Sequence, residues 1–322
     1  MKKLFNLTTT FRKRERENKR MRENSFKSKI PFSHSPTPPF SLSFFLIPSC
    51  LVIILLNGCT QEYNLERMYY HANKKYTQIV KNPSQANPSQ IDAVIADFNK
   101  ISNTNPNWEG IKNVRFIIAH LYFLKNDFCK AREKFKNLIS DFPSQINICL
   151  QARFFIGVSY EQEGKWNKAL AIFEKIMADY PVSQIAIELP FYIAQYYHKH
   201  KEYEQADKIL RNAITNYEKI INNYPYEKRL TIAMEDIILK TYEKLNDWDG
   251  MIATLEKIVH KHYNTERGAQ SLYRLAKICE SKNKVKKAID RYNQFIKDYP
   301  DHKLVNTIKT KIHSLQLTMP KE

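Results

Sequence analysis

Apolar positions return at helical spacing through most of this chain, and one short pattern, aromatic-x-x-small, recurs at Phe128…Ala131, Trp166…Ala169, Tyr203…Ala206 and Trp248…Met251. Val285…Ala288 is an aliphatic version, and the intervals are 38, 37, 45 and 37 residues. A period of this size predicts stacked helical hairpins, each too small to bury its apolar face alone. Each motif reads as the start of a hairpin's second helix, so the first helix ends just before it. Thirteen residues before the small residue stand Ile118, Ile156, Ile193, Ile238 and Leu275. Twelve before stand Ala119, Gly157, Ala194, Leu239 and Ala276, and nine before stand Tyr122, Tyr160, Tyr197, Tyr242 and Cys279. A small residue lets two helices approach closely, and a tyrosine one turn on fills the space beside it. In the second helix Phe135, Phe173, Leu210, Leu255 and Tyr292 follow the small residue by four, which makes an apolar stripe. Hairpin ends are written as Asp141-Phe142-Pro143, Asp179-Tyr180-Pro181, Asn223-Tyr224-Pro225 and Asp298-Tyr299-Pro300, since proline cannot continue a helix.

Two units depart from the rule. The one at Ala206 reaches its proline seven residues late, predicting a second helix two turns longer, and the one at Met251 has Tyr263 where proline is expected. Val94, Phe98 and Pro106 read as the second helix of a further unit, with its first helix from about Tyr63 to Val80 and an enlarged turn over Asn82 to Gln90. Lys303 to Leu317 reads as a closing helix. The chain therefore predicts an all-α fold, a right-handed α-solenoid of five to six hairpins over 63–302 with a capping helix and tail over 303–322.

Small-x-x-Tyr, then Ala-x-x-x-Phe, then Pro at this spacing resembles the tetratricopeptide repeat, and the resemblance covers roughly Ile111 to Pro300. The residues that carry it are Ala119, Tyr122, Ala131, Phe135, Gly157, Tyr160, Ala169, Phe173, Ala194, Tyr197, Ala206, Ala276 and Ala288.

The first 58 residues differ in kind. Residues 1–30 carry 11 Lys/Arg against three Glu, 31–43 are rich in Pro and Ser, and Phe44 to Leu56 is almost wholly apolar. Basic, apolar, then small residue plus Cys is the order of an export signal, and an apolar run of about 13 residues is short of the ~20 that span a bilayer. Leu56-Asn57-Gly58-Cys59 resembles a lipobox, which implies lipidation of Cys59, removal of 1–58 and a short tether over 59–62. Met21 is an alternative start within this leader.

The leader also changes the meaning of the charge. The whole chain is formally +18, but from Cys59 on it holds 40 basic and 30 acidic residues, or +10. That surface suits anionic lipid, polysaccharide or an acidic protein, and an exported chain has no nucleic-acid partner. Past Cys59 stand Cys129, Cys149 and Cys279. Cys129 and Cys149 would sit at opposite ends of a helix, about 20 Å apart, whereas a bridge needs Cα atoms within ~7 Å. Three unpaired, largely buried thiols are expected.

The remaining chemistry is sparse. No two glycines after Cys59 stand closer than Gly157 and Gly164, which excludes a glycine-rich phosphate loop, and no Cys-x-x-Cys or Gly-x-Ser-x-Gly occurs. His198-Lys199-His200 and His260-Lys261-His262 place histidines two apart, diverging by about 200° on a helix, so solvated helix ends are expected and no metal. Asp236 and Glu243 are the nearest acidic pair and read as surface charge. No catalytic residue, cofactor or small-molecule substrate is expected.

Fifteen residues before each small anchor stand Phe116, Phe154, Phe191, Asp236 and Tyr273, and one turn on stand His120, Val158, Gln195, Lys240 and Lys277. In tetratricopeptide arrays the corresponding residues face the concave groove, so the resemblance implies a peptide groove that begins apolar and grows more charged toward the C-terminus. The other reading is that these rings tile the seam between hairpins. A lipid-anchored array of this length is similar to the periplasmic tetratricopeptide lipoproteins of the outer-membrane β-barrel assembly machinery. That similarity implies a noncatalytic scaffold at the periplasmic face of the bacterial outer membrane, with envelope proteins as partners and a β-barrel assembly protein among them. The alternative is a scaffold for peptidoglycan or other cell-envelope enzymes.

Overall fold

The computed structural model describes residues 49–317, with side chains from Glu62 onward; the leader over 1–48 and the expected lipidation at Cys59 lie outside the described backbone and side chains respectively. Two compact units divide at Gln61, and the second, from Glu62, carries the repeats. Thirteen α-helices and one 3-10 turn make up the described residues, with no strand among them. They are α1 (Ser49–Lys81), α2 (Pro88–Thr104), α3 (Ile111–Leu124), α4 (Phe128–Asp141), α5 (Ile146–Gln162), α6 (Trp166–Asp179), α7 (Gln184–Lys199), α8 (Tyr203–Asn223), α9 (Lys228–Leu245), α10 (Trp248–Lys261), α11 (Glu266–Ser281), α12 (Val285–Asp298) and α13 (Val305–Leu317).

Each aromatic-x-x-small motif begins a second helix: α4, α6, α8, α10 and α12 start at Phe128, Trp166, Tyr203, Trp248 and Val285. The late proline of the Ala206 unit gives α8 its 21 residues, against 14 for α4, α6, α10 and α12. The expected helix over Tyr63 to Val80 is the C-terminal part of α1, and the closing helix is α13.

The turn inside each hairpin has a common device. Asn126, Gly164, Lys201, Asn246 and Asn283 all adopt positive φ, each two residues before the second helix. Left-handed backbone reverses the chain at once and is least costly for Gly and Asn. Several helix starts are capped by side chains. Asp127, Ser183, Asp247 and Thr265 each accept a hydrogen bond from the backbone N–H three residues on, and Asn87 with Gln90 forms a full capping box.

Packing follows the repeat. Ala119, Ala131, Ala169, Ala194, Ala206, Ala276 and Ala288 are buried, as are Phe135, Phe173, Tyr292 and Phe295, while Tyr122, Tyr160 and Tyr197 are half-buried at the hairpin edge. Gly157 shows why the first-helix anchor is small, because a β-carbon there would overlap the Phe173 ring. The extra turns of α8 bring Ile214, Tyr217 and Ile220 against Met234 and Ile238 of α9, and the Tyr217 hydroxyl donates to the Ile187 carbonyl at 2.6 Å. Substantial contacts join helices one or two apart in sequence, and α5 also touches both α3 and α7, which puts these first helices on the inner side of a tetratricopeptide-type solenoid.

The cysteines correct one expectation. Cys149 and Cys279 are buried, but Cys129 is exposed. It stands two residues before Ala131, about 200° around α4 from the packed stripe.

Candidate functional site

The inner face of the first helices divides into a sealed part and an open part. Of the nine positions predicted to line it, Phe116, His120 and Val158 are buried and belong to the wall of the array, not to an open groove. The cause is a side chain from another helix. Tyr76 of α1 reaches across to place its hydroxyl 2.8 Å from His120 Nδ1, and Phe155 of α5 lies with its centroid 4.7 Å from the His120 ring and 5.8 Å from Phe116. At this end the rings tile the seam between hairpins.

From α7 onward the face opens, with Phe154 of α5 at its edge. Phe154 is half-buried against Tyr192 and Phe173, with centroids 5.5 and 5.7 Å away. Phe191 is half-buried, and Lys240 Nζ sits over it at 4.9 Å from the ring centroid, within cation–π range. Gln195, Lys240 and Lys277 are exposed, and Tyr273 is half-buried against Tyr292 and Phe295.

Charge on this face is unevenly committed. Asp236 is paired with Arg267 at 3.0 Å and Glu243 with Arg274 at 3.9 Å. Glu280 accepts from Lys311 at 2.6 Å and from the Tyr292 hydroxyl at 2.9 Å. Glu161 takes the Tyr192 hydroxyl, and burial holds its carboxyl above the ordinary glutamate range despite that bond and the nearby Lys199 and His200. By contrast Lys199, Lys240, Lys244 and Lys277 are exposed and make no ion pair among the described residues. Half-buried rings on helices whose exposed ammonium groups lack a carboxylate partner can hold a chain segment that offers apolar side chains and carboxylates.

The histidine doublets divide as well. His198, His200 and His260 are exposed, but His262 is not a solvated helix end: its Nε2 lies 3.2 Å from Glu235. Glu235, buried on α9, also takes Lys261 at 2.9 Å and Arg267 at 2.8 Å. Burial opposes its ionised form, yet the bonds from Lys261 and Arg267 outweigh this and hold its carboxyl below the usual glutamate range. This cluster was missed in the sequence, although the missing proline at Tyr263 marked the joint it braces. No group of three metal-ligating side chains exists among the described residues.

Between α10 and α12 a depression of about 610 Å³ has Leu272 and Leu275 at its floor and the paired Glu256 and Arg291 at its rim. Among the described residues no helix is long and apolar enough to cross a membrane.

The tetratricopeptide repeat family pattern matches residues 151–183 and 270–302, which are the hairpins α5–α6 and α11–α12. No curated protein sequence matches the chain. Among solved structures the chain is similar to TTC0263, a thermophilic TPR protein of Thermus thermophilus, at 15% identity and a TM-score of 0.30, covering 64% of this chain and 99% of that one. It is similar to a tetratricopeptide repeat protein from Parabacteroides merdae at 15% identity and a TM-score of 0.32, covering 80% of this chain and 99% of that one. Yeast Tom70 is matched at 14% identity and a TM-score of 0.37, over 76% of this chain and 47% of that one.

Proposed function

We propose that this protein is a noncatalytic scaffold that holds segments of other proteins on the inner face of its first helices. In this reading it is anchored through a lipid on Cys59 to the periplasmic face of the bacterial outer membrane, where it serves outer-membrane protein assembly in the manner of the BamD lipoprotein. One observation carries the binding role: Lys199, Lys240, Lys244 and Lys277 are exposed without an ion pair among the described residues, Lys240 over the Phe191 ring, while Asp236, Glu243 and Glu280 on the same helices are each engaged by a cation. Such a face gives a partner apolar contact at its middle and attraction for carboxylates toward its C-terminal end. The leader and the Leu56-Asn57-Gly58-Cys59 sequence support the address.

The test is a photo-crosslinking residue at Gln195, which is exposed between Phe191 and Lys199, introduced in intact cells. An outer-membrane β-barrel protein or its unfolded precursor trapped at this position is the expected result. Trapping of soluble envelope enzymes assigns the protein instead to peptidoglycan or envelope-enzyme scaffolding. A crosslink-free Gln195, with capture only from positions on α10 or α12, overturns the inner face as the binding surface.

A further inference from the structure

The outer face of α1 carries a second surface that partner binding on the inner face does not use. Between residues 62 and 81 one side of this helix is buried at Leu65, Ala72, Tyr76 and Ile79. Directly opposite, at helical spacing, stand Tyr63, Arg67, Tyr70, Lys74 and Lys81, all exposed. Tyr63 and Tyr70 are each 66% exposed, because their positions point away from the side of the helix that buries Tyr76. Arg67, Lys74 and Lys81 form no ion pair among the described residues, whereas Lys75 on the flank is engaged by Asp97 at 2.8 Å. Glu62 and Glu66 flank the start of the stripe, and no acid stands beside it from Arg67 to Lys81 on this helix. There is no aliphatic side chain on it, so the stripe is built for the headgroup layer and not for insertion among acyl chains.

We propose that this stripe of α1 lies against an anionic phospholipid surface, with Tyr63 and Tyr70 at headgroup depth and Arg67, Lys74 and Lys81 on lipid phosphates. Tyrosines with arginine and lysine are the side chains that settle at a membrane–water interface, where a ring gains from the apolar side while its hydroxyl stays wet. The charge is complementary, and the stripe starts four residues after Cys59, so a lipid there would hold it at the membrane; in this respect the inference rests on the anchor reading. A contact along the helix would fix the orientation of the array, which attachment at a single point cannot do.

The protein is purified as cells process it, and mass spectrometry shows whether Cys59 is acylated, which tests the anchor separately. A nitroxide is then placed at Tyr70→Cys, or at the almost fully exposed Tyr226→Cys as control, in a Cys129→Ser background. Each is measured in vesicles of phosphatidylethanolamine with about one-third phosphatidylglycerol. The expected result is shielding of position 70 from a water-soluble relaxant and access to lipid-dissolved oxygen, with position 226 remaining in water. Neutralising Arg67, Lys74 or Lys81 to Gln should lower the contact about fivefold for each charge. Equal water access at 70 and 226 in an acylated, vesicle-bound protein overturns the proposal. So does shielding of position 70 that persists in detergent with dipolar broadening, the signature of a second copy of the chain. Shielding that is the same in purely zwitterionic vesicles overturns the charge argument.

Discussion

At the scale of single residues, the repeat is a rule about size. Gly157 lies against the Phe173 ring with no room for a β-carbon, so Gly157→Leu must part α5 from α6. Overpacking of this kind costs about 1–3 kcal/mol, to be read as a lowered urea midpoint at unchanged slope. Lys201 is the reverse case. It occupies with φ of 63° the left-handed position that Asn or Gly fills in the other four hairpins, and a side chain pays about 1 kcal/mol there. Lys201→Gly should therefore raise stability by about 0.5–1 kcal/mol in the same assay. The small anchors and their aromatic partners were legible because spacing alone decides them. Phe116 and His120 were not, because their burial is caused by Tyr76, 44 residues before His120 and in no fixed register with it. Cys129 was legible in principle from its angle on α4, and its hydrophobic character misled.

Helices and joints form the next scale. Most hairpins end at a proline that stops the second helix, but α10 ends at Lys261 with Tyr263 in the proline's place, and the chain must be turned by other means. Thr265 caps α11, and Gly268 lets its backbone meet the His262 carbonyl where a β-carbon would collide. Glu235 on α9 then ties Lys261 and His262 at the end of α10 to Arg267 at the start of α11. Glu235→Gln keeps the shape and removes the charge, and should cost about 1–3 kcal/mol at neutral pH. Because the folded carboxyl titrates below its unfolded value of about 4.3, its contribution is present above that value and is lost as pH falls through the folded one. Urea unfolding followed from pH 7 to pH 3 should thus show a steeper acid loss for the natural protein than for Glu235→Gln. The two-turn lengthening of α8 was plain from its late proline; the ion cluster was hidden because its members come from three helices and none has a local signature.

At the scale of the whole described unit, the array ends in a lid. Val305, Ile308, Ile312 and Leu315 of α13 complete the core that begins with Leu239 and runs through α12. Repeat arrays need such an end, since the last hairpin otherwise shows water an apolar flank. Deletion of residues 303–322 should lower the melting temperature and bring on aggregation on heating, measured by scanning calorimetry with light scattering; an unchanged melting point would mean that α12 closes the core unaided. The order of hairpins was readable from one repeated motif, whereas the division of the inner face into a sealed and an open stretch was not, because it depends on which neighbour covers each ring. The contacts that reach only one or two helices along the chain have a mechanical meaning too. A load pulling the two ends apart meets no long-range tie, so the array should yield one hairpin at a time. Each step would release about 37 residues, on the order of 120 Å of extended chain. Such a chain behaves as a spring that gives way in stages, not as a strut that snaps.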